Sequence, residues 1–114
     1  MAGKLDGKRV AILATDGVEQ VELEKPRRAL ENAGAETRVV SPAETNVRAW
    51  QHDHWGEELA VDVPLARASA DDFDALLIPG GVMSPDKLRM NDAAVQLVRS
   101  FFEQTKPVAA ICHG

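Results

Sequence analysis

Three short apolar runs constrain this chain more than any other feature: RVAILA (Arg9 to Ala14), ALLI within DALLIPGG (Asp74 to Gly81), and PVAAIC (Pro107 to Cys112). A strand with one wet face alternates apolar and polar residues, whereas a nearly continuous apolar run belongs to a strand buried on both faces. ETRVVS (Glu36 to Ser41) reads as a further strand. Between the first two strands lies a helical stretch from about Glu19 to Ala33, with Val21, Ala29, Leu30 and Ala33 apolar and Gly34 at the expected C-cap. Pro26 interrupts that stretch, so either the helix kinks there or a turn precedes a helix with Pro26 in its first turn. Asn91 to Thr105 is strongly amphipathic: Val95, Leu97, Val98, Phe101 and Phe102 form its apolar face, and Asn91 or Asp92 can cap it. Pro42 to Leu65 alternates weakly between turn residues and reads as a hairpin excursion. Strands alternating with helices imply an α/β fold, a parallel sheet covered on both faces.

Composition narrows the function. One domain is the expectation for 114 residues, enough to bury a core. The formal net charge of −5 argues against nucleic acid, since phosphate binding needs clustered Lys and Arg, and here Lys25, Arg27 and Arg28 sit among Glu22, Glu24 and Glu31. No apolar run reaches membrane-spanning length, and MAGKLDGKRV lacks the apolar core of a signal peptide. The single cysteine cannot form an internal disulfide, which makes a reducing cytoplasm the expected compartment.

In parallel sheets, ligands bind outside the carboxyl ends of the strands. Three groups fall there: Thr15 to Glu19, Gly80-Gly81, and Cys112-His113-Gly114. Cys112 stands where a strand should turn into a helix, the geometry of a nucleophile elbow. Blander roles compete at each position. A lone cysteine after an apolar run is most often a small buried hydrophobe. Glu19 could be an acid favoured by a helix N-terminus, and Gly80-Gly81 could simply make a tight strand exit. His52 and His54 flank Asp53 without a defined third and fourth ligand, so no metal is expected. Glu22, Glu24 and Glu31 read as a solvated helix face, and Trp50 and Trp55 as core plugs or a subunit contact.

AICHG, LLIPGG and EQVELEKPRRAL together resemble the PfpI/ThiJ superfamily, closest to its intracellular protease branch because histidine directly follows cysteine. The resemblance runs from about Arg9 to Gly114. It implies a flavodoxin-like, doubly wound, mostly parallel sheet in a three-layer sandwich, related to class I glutamine amidotransferases. It also implies Cys112 as nucleophile, Glu19 as the acid approaching the thiol, and backbone N–H groups of Gly81 and His113 as an oxyanion hole. His113 would be completed by an acid from a neighbouring subunit at the position of Asp86, in a stretch one residue longer than the family pattern. An oligomer follows from that, and no cofactor is implied.

The chemistry fits those residue types. The thiolate is the reactive form of cysteine, favoured near a hydrogen-bonding partner or helix N-terminus. An adjacent histidine can serve as general base, and paired N–H groups stabilise a developing oxyanion. Family members are described as peptidases, glyoxalase-like hydratases of dicarbonyls, or deglycases, linked to stress protection. All begin with thiol attack on a carbonyl, leaving a small carbonyl compound or a peptide as substrate. A non-enzymatic alternative uses Cys112 as a redox sensor or in a chaperone-like stress role. An elbow needs a helix after it, so residues 1–114 are expected to be the N-terminal portion of a longer single domain.

Overall fold

The computed structural model describes residues 3–81 and 83–111; Met1, Ala2, Val82, Cys112, His113 and Gly114 lie outside them. In chain order the elements are β1 (Arg9–Leu13), α1 (Gln20–Asn32), β2 (Glu36–Ser41), β3 (Asn46–Gln51), β4 (His54–Ala60), β5 (Val63–Pro64), β6 (Ala75–Ile78), α2 (Ser84–Arg89), α3 (Asp92–Glu103) and β7 (Val108–Ala110). Two single 3₁₀ turns, Leu65–Arg67 and Ala70–Asp72, join β5 to β6. Five strands form one sheet in the order β5-β2-β1-β6-β7, every pair parallel, and β3 and β4 form a separate antiparallel hairpin.

The apolar run of β1 is continuous because it is the central strand and supplies two cores. Ala11 and Leu13 face one layer with Leu76, Leu97 and Phe101; Val10, Ile12 and Ala14 face the other with Leu23, Leu77 and Ala49. The two sets alternate along the strand, as the pleat requires. α3 covers the first layer through Ala94, Leu97 and Phe101, a stripe at helical spacing, and Asn91 Oδ1 accepts from Ala94 N–H at 3.0 Å as its N-cap.

α1 covers the opposite layer. It runs unbroken through Pro26, which excludes a separate helix beginning at the proline. It ends in a Schellman motif: Gly34 N–H donates to Glu31 C=O, Ala35 N–H to Leu30 C=O, and Gly34 takes a φ of +100° that glycine adopts without Cβ strain. On the acidic face of α1, Glu31 is exposed as expected, whereas Glu22 and Glu24 are half-buried. Arg27 lies 3.5 Å from Glu31 and 3.5 Å from Asp62, and Thr37 Oγ1 donates to Glu31 at 2.7 Å, so the helix is tied to β2 and the edge beside β5. One carboxylate oxygen of Glu22 is buried without a hydrogen-bond partner among the described residues.

The expected hairpin excursion is β3–β4. It packs over the start of α1 and leaves Trp50 and Trp55 edge-to-face, with centroids 5.1 Å apart and Arg48 over Trp55. The helix α2 had no counterpart in the sequence reading. It is only six residues long, and its first turn carries Pro85, which suits a helix start and hides it within a glycine- and proline-rich stretch.

Candidate active site

The carboxyl ends of β1 and β6 deliver two loops into direct contact. Glu19 N–H donates to Gly80 C=O at 3.1 Å, and Thr15 N–H to the fully buried Ser84 Oγ at 3.0 Å. Gly81 has a φ of +130°, and a Cβ there would lie 2.7 Å from the Glu19 nitrogen and 2.9 Å from the Gly17 oxygen. No side chain fits in that gap. The PGG turn is therefore a close approach of two backbones rather than only a strand exit. β7 continues this edge, since Ile111 N–H donates to Ile78 C=O at 3.0 Å. Glu19 and Gly81 are thus brought together. Cys112 and His113, the candidate nucleophile and its neighbour, lie outside the described residues.

Glu19 stands at the N-cap position of α1, but its side chain does not cap the helix. Its Oε2 accepts instead from His52 N–H at 3.2 Å, at the tip of the β3–β4 hairpin. The hairpin is seated against the loop after β1 by main-chain bonds: Gly17 N–H to Arg48 C=O at 2.9 Å and Trp50 N–H to Val18 C=O at 2.7 Å. Asp16 Oδ1 adds a bond from Arg48 N–H at 2.9 Å. No local pattern of residues signals this contact. A buried Gln20, 6% exposed, was missed as well; its only local signal is an amide in the first turn of an apolar-faced helix.

Between the hairpin tip and α1 is a cavity of about 290 Å³, lined by Glu19, Glu24, Gln51, His52 and His54 among others. His54 Nδ1 pairs with Asp53 Oδ1 at 2.7 Å, and its hydrogen bond and charge hold the Asp53 carboxyl below the ordinary aspartate range. Among the described residues, no three His, Cys, Asp or Glu side chains converge as metal ligands. A larger groove of about 590 Å³ opens on the α3 face, between Leu13, Ile78, Leu88, Val98, Phe102 and Ala110. Its lining is mainly apolar, with Arg89, Arg99 and Glu103 as its charged members. Asp86 is exposed on α2 and ion-paired with Arg89 of its own helix. No described helix is long and apolar enough to cross a membrane.

The family model described as the DJ-1/PfpI family matches residues 8–114. Among curated relatives, the Bacillus subtilis protein YraA, named as a candidate cysteine protease, is 40% identical over 94% of this chain. General stress protein 18 of the same organism is 40% identical over 95%, and a deglycase of Pyrococcus abyssi 40% identical over 93%. The chain spans 61% of the length of each of these relatives. The solved structure of oxidized Toxoplasma gondii DJ-1 superposes with a TM-score of 0.82 at 26% identity, over 93% of this chain and 56% of that one. The match across nearly the whole sequence, on a parallel sheet with helices on both faces, places the protein: the chain belongs to the DJ-1/PfpI family.

Proposed function

We propose that this chain carries the nucleophile, acid and oxyanion donors of a cysteine-dependent hydrolase acting on a peptide or a small carbonyl compound. The observation that supports it is the contact of the Gly80-Gly81 turn with the loop bearing Glu19, beside the strand that leads to Cys112. In this reading the Cys112 thiolate attacks a carbonyl carbon. A C–S bond forms, the C=O electron pair moves to oxygen, and the N–H groups of Gly81 and His113 receive the oxyanion. With a peptide, His113 takes the Cys112 thiol proton as the thiolate forms, the tetrahedral adduct collapses with cleavage of the C–N bond, His113 gives that proton to the departing amine, and water later hydrolyses the acyl-enzyme. With an aldehyde, protonation of the oxyanion gives a thiohemiacetal instead. The relatives named as a candidate cysteine protease and as a deglycase support both substrate classes.

The test is a paired assay of the full chain with methylglyoxal and with fluorescent casein, each repeated on Cys112→Ser. Loss of either turnover in the variant supports the proposal. Turnover that survives Cys112→Ser defeats it. A second reading, oxidation of Cys112 to the sulfinate in a peroxide sensor, draws on the oxidized state of the DJ-1 structure that this chain resembles. Stoichiometric sulfur oxidation by dilute peroxide without turnover of either substrate would favour it.

Assembly is part of the proposal. Asp86 of one protomer completing His113 of another requires at least a dimer. Asp86→Ala is then expected to lower activity with the fold intact, and unchanged rates in a protein that is monomeric by light scattering would remove the assignment.

A further inference from the structure

Gln20 adjoins Glu19 in sequence, yet its carboxamide serves the hairpin. Gln20 Oε1 accepts from Gln51 Nε2 at 2.8 Å and from Glu57 N–H at 3.0 Å, and Gln20 Nε2 donates to Glu24 Oε1 at 3.1 Å. These partners bracket the hairpin tip, one on β3 and one on β4. Between them stands His52, whose N–H holds the Glu19 carboxylate and whose φ of +56° is disfavoured for a residue with a Cβ. The strand opposite has been cleared for the amide: a Cβ at Gly56 would lie 2.3 Å from Gln20 Oε1. A buried amide with three satisfied bonds is a rigid element, since each bond left unmade would strand a buried polar group.

We propose that Gln20 is a positioning residue for Glu19: it latches the hairpin tip onto α1 so that His52 N–H fixes the orientation of the Glu19 carboxylate. This rests on the reading that Glu19 acts on Cys112. Without the latch, the left-handed turn at His52 relaxes, its N–H leaves Glu19, and the carboxylate turns toward solvent. Gln20 itself touches no reacting atom. Exchanging the amide and the acid, Gln20→Glu with Glu24→Gln, preserves every hydrogen bond of the latch, because the carboxylate still accepts from Gln51 and Glu57 and the new amide donates back.

The test is the pH profile of native-state iodoacetamide alkylation of Cys112 in the full chain. Gln20→Met, which keeps the volume and loses the bonds, is expected to move the midpoint in the same direction as Glu19→Gln, by about one pH unit. It should add nothing in a Glu19→Gln background, and the exchanged pair should restore the wild-type profile. If Gln20→Met does not fold, Gly56→Ala displaces the amide from the opposite strand and must give the same shift. A midpoint unmoved by Glu19→Gln overturns the role of Glu19 and this proposal together. A midpoint that responds to Glu19→Gln but not to Gln20→Met or Gly56→Ala overturns the latch alone, as does a Gln20 effect that persists in full without Glu19.

Discussion

The two faces of the sheet are finished differently. On the α1 face, Val10, Ile12, Leu23 and Leu77 are sealed beneath the helix and the β3–β4 hairpin, and the polar groups of the rim are bonded to one another. On the α3 face, Leu97 and Phe101 are buried, but their helix neighbours Val95 and Phe102 are 38% and 63% exposed along the apolar groove. The amphipathic stripe of α3 is wider than the surface it covers. The difference separates two tasks: the α1 face holds acid and amide groups in fixed positions, whereas the α3 face contributes burial and retains uncovered apolar surface.

Phe101 and Phe102 test that contrast on adjacent residues. Phe101→Ala is expected to cost about 3–5 kcal/mol in urea unfolding, because a fully buried ring leaves a cavity. Second in size is Gly81→Val. Its side chain would collide with the Glu19 nitrogen at a φ of +130°, and by analogy with loss of one oxyanion donor turnover should fall about a hundredfold. Full activity in a folded Gly81→Val protein would remove this turn from the site. Phe102→Ser should change stability by no more than about 0.5 kcal/mol, as for other surface positions. A cost of several kcal/mol there would mean that something covers the groove, and the contrast between the faces would break.

The smallest effect concerns pH. The Asp53 carboxyl is held low by His54, so any stability it gives is present above the unfolded aspartate pKa and lost as pH falls through the folded one. Both partners are exposed, at 88% and 65%, and solvent screens the pair. Asp53→Asn should therefore leave the thermal midpoint unchanged from neutral pH to pH 4. A measurable drop throughout that range, vanishing only as pH falls below the ordinary aspartate pKa of roughly 3.9, would show that the hairpin tip is more tightly ordered than its exposure suggests.

Much of the fold was legible where one short-range rule decides the outcome. β1 and β6 show as apolar runs because both of their faces are covered, and α3 shows because its period matches a helix over three turns; β7 is a strand as its apolar run predicts, but it stands at the edge of the sheet with Ala109 and Ala110 exposed rather than buried on both faces. The limits of α1 were legible at Gly34 but not through Pro26, where packing of Leu23 and the Arg27 network outweighs the proline's local penalty. α2 left too few residues to establish a period. In the site, the convergence of Glu19 with Gly81 followed from their places at strand ends. The hairpin contact did not, because Gln20 meets Gln51 and Glu57 at separations of 31 and 37 residues, and no local pattern encodes such a pair.

The central position of β1 also sets an order of events during synthesis. Arg9 at its start bonds Glu36, 27 residues on, but its N–H bonds Asp74, 65 residues on. At ribosomal rates of about 5–20 residues per second, β1 can pair with β2 soon after both emerge, then waits roughly 2–8 s for β6. Throughout that interval one edge of the most apolar strand has no partner. Such non-local parallel pairing folds slowly and is open to association with other chains. Charged residues at the start of β1, Lys8 and Arg9, stand where they can discourage such pairing while the strand waits.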